Sequence, residues 1–204
     1  MALLQRRTQV LAKAETNEGT AETLGTADAL LGFDANFDPN VEMYERDPRR
    51  ATLSQMIPLA GRRSGKITYT CELVGSGTRG VAPYWGGLMK ACGFAENITT
   101  GTAGSVQYIP ASTSIPSLTM EMRMDGVIKR IWGARGNVKL ALEGGKPGLL
   151  HFEFTGIDST VVDGAILSAT YPSTVPPVFL SASFTVDSYA ALIEKLELDM
   201  AKLS

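Results

Sequence analysis

Residues 51–77 read ATLSQMIPLAGRRSGKITYTCELVGSG. The pattern in this stretch gives the clearest indication of the fold. Apolar and polar residues alternate through KITYTCELV (66–74), and such period-2 alternation indicates a half-buried antiparallel strand. LSQMIPLA (53–60) also reads as a strand, so the intervening GRRSG (61–65) is expected to be a basic turn. We therefore predict a long β-hairpin tipped with arginines. The residues on its apolar face are Ile67, Tyr69, Cys71 and Leu73.

The composition indicates a folded domain. A chain of 204 residues with 44% hydrophobic residues is long enough to bury roughly 70% of its unfolded surface. Its 21 glycines and 10 prolines, against 20% charged residues, predict many turns and short strands. The formal net charge of -2 argues against a protein that grips nucleic acid tightly.

Cysteine usage and the first residues predict a protein made in a reducing cytoplasm. Cys71 and Cys92 form no CxxC pair and are expected to be reduced core residues. The opening MALLQRRTQV lacks the apolar segment of a signal peptide, and no apolar run approaches the length of a membrane span. We therefore expect a soluble protein without a membrane-spanning segment.

Strand patterns dominate the second half of the chain. Asp125-Gly126 is a hairpin turn that joins SLTMEMRM (117–124) to VIKRIWGA (127–134). GNVKLALE (136–143) is expected to turn into LLHFEFTGI (149–157), in which apolar and polar residues alternate again. Together with the earlier strands, these segments predict a mainly β fold.

Two segments complicate this assignment. APYWGGLMKACGF (82–94) is expected to form a short helix that Gly86 and Gly87 weaken. Residues 189–204 match both helical and strand periodicity, so the residues alone leave both alternatives open.

One acidic stretch resembles a calcium-binding loop. DANFDPNVEMYE (34–45) places oxygen-bearing side chains at the ligand positions of such a loop, but Pro39 stands where the sharp turn needs glycine. We therefore expect an acidic surface loop rather than a bound metal. The candidate ligands are Asp34, Asn36, Asp38 and Glu45.

The sequence offers no catalytic constellation. GSGTRG (75–80) fits a dinucleotide fingerprint, but the strand before it alternates and no second parallel strand follows, so we expect a simple turn. His151 is the single histidine and lies within a predicted strand, without a nucleophile motif nearby. We expect neither an enzyme nor a cofactor.

Charge is segregated along the chain. Residues 14–40 contain six acids and no lysine or arginine, whereas the residues from Arg46 to Arg79 are rich in arginine. Segments of opposite sign could meet between copies of the chain.

Taken together, these residues resemble the tail tube (major tail) proteins of long-tailed double-stranded DNA bacteriophages. LLQRRTQVLAKAETNEGTAETLGTADALL (3–31) is similar to that family's opening, LVGSGTRGVAPYWGGLMKACGFAE (73–96) to its strand end and helix, and SFTVDSYAALIEKLELDMAK (183–202) to its close. The last segment departs from the family pattern at Ser188 and at Ala201-Lys202. The resemblance favours a strand at the C-terminus.

The resemblance implies a fold and a function. The fold would be a β-sandwich or barrel with one flanking helix, comprising a single domain over 1–204 with an N-terminal arm (1–40) and a projecting hairpin (about 41–76). Copies would form rings, usually of six, that stack into a tube through which phage DNA passes without sequence-specific binding. The protein would be located in the virion tail, with a tape-measure protein and a tail terminator as further partners.

Two sets of residues are expected to carry the assembly. An exposed strand edge invites pairing, and a closed ring uses every edge, so the hairpin is expected to pair outside its own subunit. The expected subunit interface comprises Met56, Ile57, Leu59, Arg62, Arg63, Lys66, Ile67, Tyr69 and Leu73. The expected charge contacts between rings comprise Glu15, Glu18, Glu22, Arg49 and Arg50.

Alternatives remain open at this point. The chain could be another ring-forming tail component, such as a terminator or the tube protein of a contractile or secretion machine. It could also be a monomeric, non-catalytic β-sandwich binding module, which would remain a monomer on sizing.

Overall fold

A computed structural model describes residues 7–49, 51, 56–180, 184–187, 189–191 and 194–200. Within these residues the chain forms thirteen strands, one α-helix and one 3-10 turn at Thr26–Asp28. The strands are β1 (Thr8–Ala14), β2 (Ala29–Leu30), β3 (Phe33–Tyr44), β4 (Leu59–Glu72), β5 (Phe94–Thr99), β6 (Ser105–Pro110), β7 (Leu118–Met124), β8 (Gly126–Glu143), β9 (Leu149–Asp158), β10 (Val162–Gly164), β11 (Phe184–Val186), β12 (Tyr189–Ala191) and β13 (Lys195–Asp199), and the helix is α1 (Gly86–Ala91).

One large antiparallel sheet organises the protein. Its strand order is β2-β1-β7-β8-β9-β4-β3, and β10 and β13 also pair with β8. β1 lies between β2 and β7, so the residues that the resemblance placed in an N-terminal arm include an inner strand of the sheet. The smaller pairs β5-β6 and β11-β12 stand apart from it. The predicted fold class, mainly β with one helix, is confirmed.

The long strand β8 joins two halves of this sheet. Asp125 and Gly126, at φ +33° and +104°, make the tight turn from β7, as their sequence predicts. A register shift between Trp132 and Arg135 lets β8 change direction. Its first half therefore pairs with β7 and β10, and its second half with β9 and β13.

The core is formed by alternate residues of the central strands. Ile67 and Tyr69 of β4, Phe152 and Phe154 of β9, and Met120 of β7 are all buried. The helix α1 is shorter than predicted, because it covers only Gly86–Ala91, but it contributes Leu88 and Ala91 to the same cluster. The methionine-rich face of β7 is therefore a core face.

The face of β7 that points away from the methionine side chains is also buried, and it carries charged side chains. Glu121 is fully buried and accepts hydrogen bonds from Arg123 and Arg130, both at Nε, over 2.9 and 2.8 Å. Arg123 also donates to the carbonyl of Ala165, in the segment that follows β10. This cluster joins β7 and β8 to the segment after β10.

The C-terminal segment is extended in its described part. β13 pairs with the end of β8, from Lys195 opposite Glu143 to Asp199 opposite Lys139. The helical alternative is therefore wrong for these residues, whereas 192–193 and 201–204 lie outside the described part of the chain.

Candidate functional site

The end of the β3-β4 hairpin extends beyond the rest of the sheet. β9 accompanies β4 only as far as Ser64, which lies opposite Ile157, so 59–63 of β4 have only β3 as a described neighbour. We call residues 41–44 and 59–63 the ribbon. Its side chains are exposed, and four of them, with the preceding Ile57, are large and apolar. Their exposed fractions are 37% for Val41, 55% for Met43, 56% for Tyr44, 82% for Ile57 and 52% for Leu59.

The basic segment GRRSG (61–65) lies inside strand β4 and is not the predicted turn. The actual connection between the hairpin strands runs from residue 45 to 58. Gly61 and Gly65 lie where neighbouring side chains pack closely against the β4 backbone. A Cβ at Gly61 would lie 2.2 Å from the Tyr44 ring, and one at Gly65 would lie 2.7 Å from Ile131. The glycines therefore make room for neighbouring side chains and do not reverse the chain.

The charged residues of this segment differ in their partners. Arg62 is exposed, whereas Arg63 lies 3.8 Å from the carboxylate of Asp158 in its own chain. Burial raises the pKa of Asp158 above its ordinary value, although the Arg63 charge opposes that effect. Lys66 forms a 2.8 Å ion pair with Glu153. Only Arg62 of this set has an exposed side chain without an ion pair among the described residues.

Part of the predicted subunit interface belongs to the core. Ile67 and Tyr69 are 0% and 2% exposed because their side chains pack in the hydrophobic core, and β9 and β3 pair with β4 on its two sides. Leu73 is half-buried against the same cluster. The prediction that KITYTCELV finds its partners only on other copies is therefore wrong. The ribbon is exposed and remains available for contact with another copy. Of the two residues that precede its second strand closely, Met56 is half-buried and Ile57 is exposed.

The acids expected to contact another ring have partners within the chain. Glu15 accepts hydrogen bonds from the hydroxyls of Ser117 and Thr119 and from the backbone N–H groups of Gly19 and Gly133, over 2.6 to 2.9 Å. Burial alone would raise the pKa of Glu15, but these hydrogen bonds together lower it. Glu15 therefore joins its own loop to β7 and β8.

Glu18 and Glu22 are paired in the same way. Glu18 forms a 2.7 Å ion pair with Arg135, and Glu22 a 3.1 Å ion pair with Lys13. Hydrogen bonds from Thr16, followed by the one from Lys13, lower the pKa of Glu22 to about 2. Arg49 is exposed, and Arg50 lies outside the described residues. Each of these acids thus has a partner within its own chain, and a role between rings stays a prediction.

The candidate calcium loop is a strand. Asp34, Asn36 and Asp38 lie in β3, and Glu45 follows directly after it. Because an extended strand rises about 3.3 Å per residue, it spreads these oxygens along a line and does not wrap them around one ion. The described residues contain no group of three or more ligand side chains that could hold a metal.

Alternate residues of four adjacent strands form a polar sheet surface opposite the core. One row runs Asp38–Lys66–Thr155–Arg135 across β3, β4, β9 and β8, and the next runs Asn36–Thr68–Glu153–Asn137. We call these eight residues, with Thr70, His151 and Lys139 in the following row, the polar face. His151 Nδ1 lies 2.9 Å from the Thr70 hydroxyl, as a partner within the sheet.

The polar face carries cations and carboxylates in near balance. Lys66, Arg135 and Lys139 are matched by Asp38 and Glu153 on the face and by Glu197 at its margin. Hydrogen bonds and charge from Lys139, and then Lys195, lower the pKa of Glu197 to about 2. The result is a polar surface of mixed sign. The alternation within β8, which contributes Arg135, Asn137 and Lys139 to this face, was visible in the sequence.

The remaining candidate residues of the sequence have structural roles. Burial raises the pKa of both Cys71 and Cys92 to about 12, so both thiols stay protonated near neutral pH. GSGTRG is a turn in which the Ser76 hydroxyl donates to the carbonyls of Thr78 and Val81. No helix in the described part of the chain is long and apolar enough to cross a membrane.

Comparisons with known proteins find matches only among solved structures. No protein-family model and no curated protein matches the chain. Among solved structures, the anti-feeding prophage cap (AFP tube terminating cap) aligns with a TM-score of 0.45 and 10% identity, covering 80% of this chain and 93% of the cap. A crystal structure of Hcp protein aligns with a TM-score of 0.33 and 12% identity, covering 77% and 98%. Because both TM-scores are below 0.5, neither similarity carries an inference about this chain.

Proposed function

We propose that this chain is a structural tail-tube subunit of a bacteriophage, which assembles into rings that stack into a tube for DNA. The observation that carries the proposal is the ribbon. A two-stranded extension with exposed Met43, Tyr44, Ile57 and Leu59 is costly for a monomer, since exposed apolar clusters of this kind mark interaction surfaces. The kind of assembly, rings that stack into a tube, is inferred from the sequence resemblance to tail tube proteins.

The open edge of the sheet supports ring formation. β3 pairs with β4 on one side and has no strand partner on its other side among the described residues. In a closed ring, the next copy covers such an edge, which removes it as a site of uncontrolled aggregation. Asn36 and Asp38 of this edge strand would then lie beside the polar face of the neighbour.

The polar face has the width and character of a tube lining. If six copies each contribute four strands at about 4.8 Å spacing and about 40° tilt, the backbone circle is roughly 48 Å across. Side chains would narrow this to about 35–40 Å, which admits a DNA double helix. Its balanced charges would let a polyanion slide, because strong binding to DNA requires many phosphate contacts from lysine and arginine.

Concentration-dependent assembly tests this proposal. Purified protein should sediment as rings and longer tubes as its concentration rises, and negative-stain images should show a central hole. A species that stops at one ring would favour a tail terminator. A monomer at every concentration would contradict the proposal and favour a binding module. By the same proposal, the assembled protein belongs to the virion tail and meets a tape-measure protein inside the tube.

A further inference from the structure

An apolar cavity of about 220 Å³ opens at the end of the protein that lies far from the ribbon. It lies between α1 and the inner side of β8 and β13, and every residue lining it is apolar. Leu73 and Trp85 form part of one wall, and Leu140 and Leu198 form part of another. Leu198 is 49% exposed, so the cavity is accessible from outside.

The cavity can hold an apolar side chain. A single water needs only about 10–15 Å³ of such space, and an apolar cavity of about 150 Å³ accommodates a benzene-sized molecule. Water gains little from walls that offer no hydrogen-bond partner. A site of this size and lining therefore favours a branched aliphatic or aromatic group.

The same chain carries exposed apolar side chains that no described residue covers. Ile57 is 82% exposed, and Arg46 fixes its position by donating to its carbonyl oxygen over 3.1 Å. Leu59, two residues later, begins β4 and is 52% exposed. These two side chains form a knob held at the end of the ribbon.

Knob and cavity lie at opposite ends of one strand. β4 begins at Leu59, and Leu73, which lines the cavity, follows its last residue Glu72. At about 3.3 Å per residue the two ends are about 45 Å apart, so a chain cannot fill its own cavity. Contact between the knob of one copy and the cavity of another is head-to-tail, and such contacts build open filaments.

Charges of both signs surround the knob. Near it, the exposed cations Arg49 and Arg62 are accompanied by the exposed acids Glu42, Glu45 and Asp47. Near the cavity, the lysines are already paired: Lys90 with Glu96, Lys139 and Lys195 with Glu197, and Lys146 with Glu143. Glu72 and Glu194 remain at that end without an ion pair among the described residues. The apolar side chains of the knob, rather than net charge, would therefore provide the contact.

We propose that the Ile57–Leu59 knob of one copy docks into the cavity beside Leu198 of a copy in the next ring, and that this contact stacks the rings. The inference rests on the proposed tube function and adds the particular surfaces that join one ring to the next. With a strand tilt of about 40°, the axial offset between knob and cavity is roughly 35 Å. The contact therefore sets a ring spacing of that order.

Substitution of the knob tests the inference. Ile57→Asp should still form rings but raise the concentration needed for stacking by at least about tenfold, because it places a carboxylate in an apolar site. Ile57→Leu is the matched control, since it keeps an apolar side chain of equal volume at the same position, and it should stack normally. Stacking of Ile57→Asp at the wild-type concentration would overturn the inference.

Mixing two blocked variants tests the polarity of the contact. Leu198→Asp blocks the cavity and keeps the knob, while Ile57→Asp keeps the cavity. Each should give single rings alone, and together they should give pairs of rings that grow no further. Circular dichroism verifies that both variants fold. Absence of ring pairs in the mixture would contradict the head-to-tail contact.

A cross-link completes the test. Ile57→Cys with Leu198→Cys should form disulfides between copies in stacked tubes and none within a copy, since bridged Cα atoms must lie within about 7 Å. Only monomers after oxidation of stacked tubes would overturn the docking. If the wild-type protein forms no rings at all, the tube function itself fails, and this outcome is distinct from rings that stack without the knob.

Discussion

The ring of Tyr44 lies against the backbone of Gly61 across the ribbon, so closely that a Cβ at Gly61 would lie 2.2 Å from Tyr44 Cε2. The pair joins β3 to β4 where no other described strand supports them. Tyr44 also donates a 3.0 Å hydrogen bond to Glu42 on its own strand. This packing sets the shape of the segment that we propose makes contact with other copies.

Gly61→Ala should therefore damage assembly more than stability. The added methyl displaces the Tyr44 ring, which is exposed and can move, so the free energy of unfolding should change by less than about 1 kcal/mol. The altered ribbon should raise the concentration at which tubes form. Urea titration and sedimentation measure the two effects. Gly87→Ala is the control, because no atom lies within 4 Å of its Cβ position, and wild-type tube formation by Gly61→Ala would contradict the account.

Arg62 and Arg63 are neighbours that we expect to respond differently. Arg62→Glu removes an exposed cation from the ribbon and should weaken stacking, most strongly at low salt, where surface charges are least screened. Arg63→Glu instead places a carboxylate beside Asp158 and should lower the free energy of unfolding. Sedimentation at two salt concentrations and urea titration separate the effects. Equal stacking by Arg62→Glu and wild type would be evidence against a cationic contact.

Glu121 should be essential for folding stability. Glu121→Gln leaves the buried Arg123 and the partly buried Arg130 without a countercharge, and breaking a buried ion pair in this way typically costs about 3–5 kcal/mol. Glu143→Gln, which breaks the exposed pair with Lys146, should cost less than about 1 kcal/mol. Chemical denaturation compares the two variants. Similar losses for both would show that the Glu121 cluster contributes no more than a surface pair.

Acid should destabilise the protein. The pKa values of Glu15, Glu22 and Glu197 are lowered in the folded state, to about 2 for the last two, from an ordinary value of 4.5. A group with a lowered folded-state pKa contributes stability that is present above about pH 4.5 and is lost as the pH falls toward 2. Denaturation curves from pH 7 to 2.5 should therefore show falling stability, with a weaker slope in Glu15→Gln. Stability that rises on acidification would contradict these assignments.

Sequence reasoning identified strands where the alternation is clean. The β7-β8 turn at Asp125-Gly126 and the face carrying Ile67 and Tyr69 both follow from local pattern and turn chemistry. It failed at Gly61 and Gly65, because glycine marks close packing as well as turns, and only the position of Tyr44 and Phe37 distinguishes the two.

The hydrogen-bond partners of the charged residues could not be predicted from the sequence either. Glu15 and Glu18 follow β1 in sequence, but their hydrogen-bond donors lie about a hundred residues later, at Ser117 and Arg135. Segregation of charge along the chain could not reveal these pairs. Strand β3 was missed over most of its length, because its Asp, Asn and Pro residues are depleted in strands and an edge strand tolerates them.

A cryo-EM reconstruction of the assembled protein tests the central claim most directly. We expect a ring whose hole is wide enough for a double helix, with Lys66, Thr155 and Arg135 facing the hole and Ile67 and Phe154 turned away from it. A reconstruction in which the polar face lies on the outside, or a protein that stays monomeric under all conditions, would contradict the claim that this sheet lines a tube.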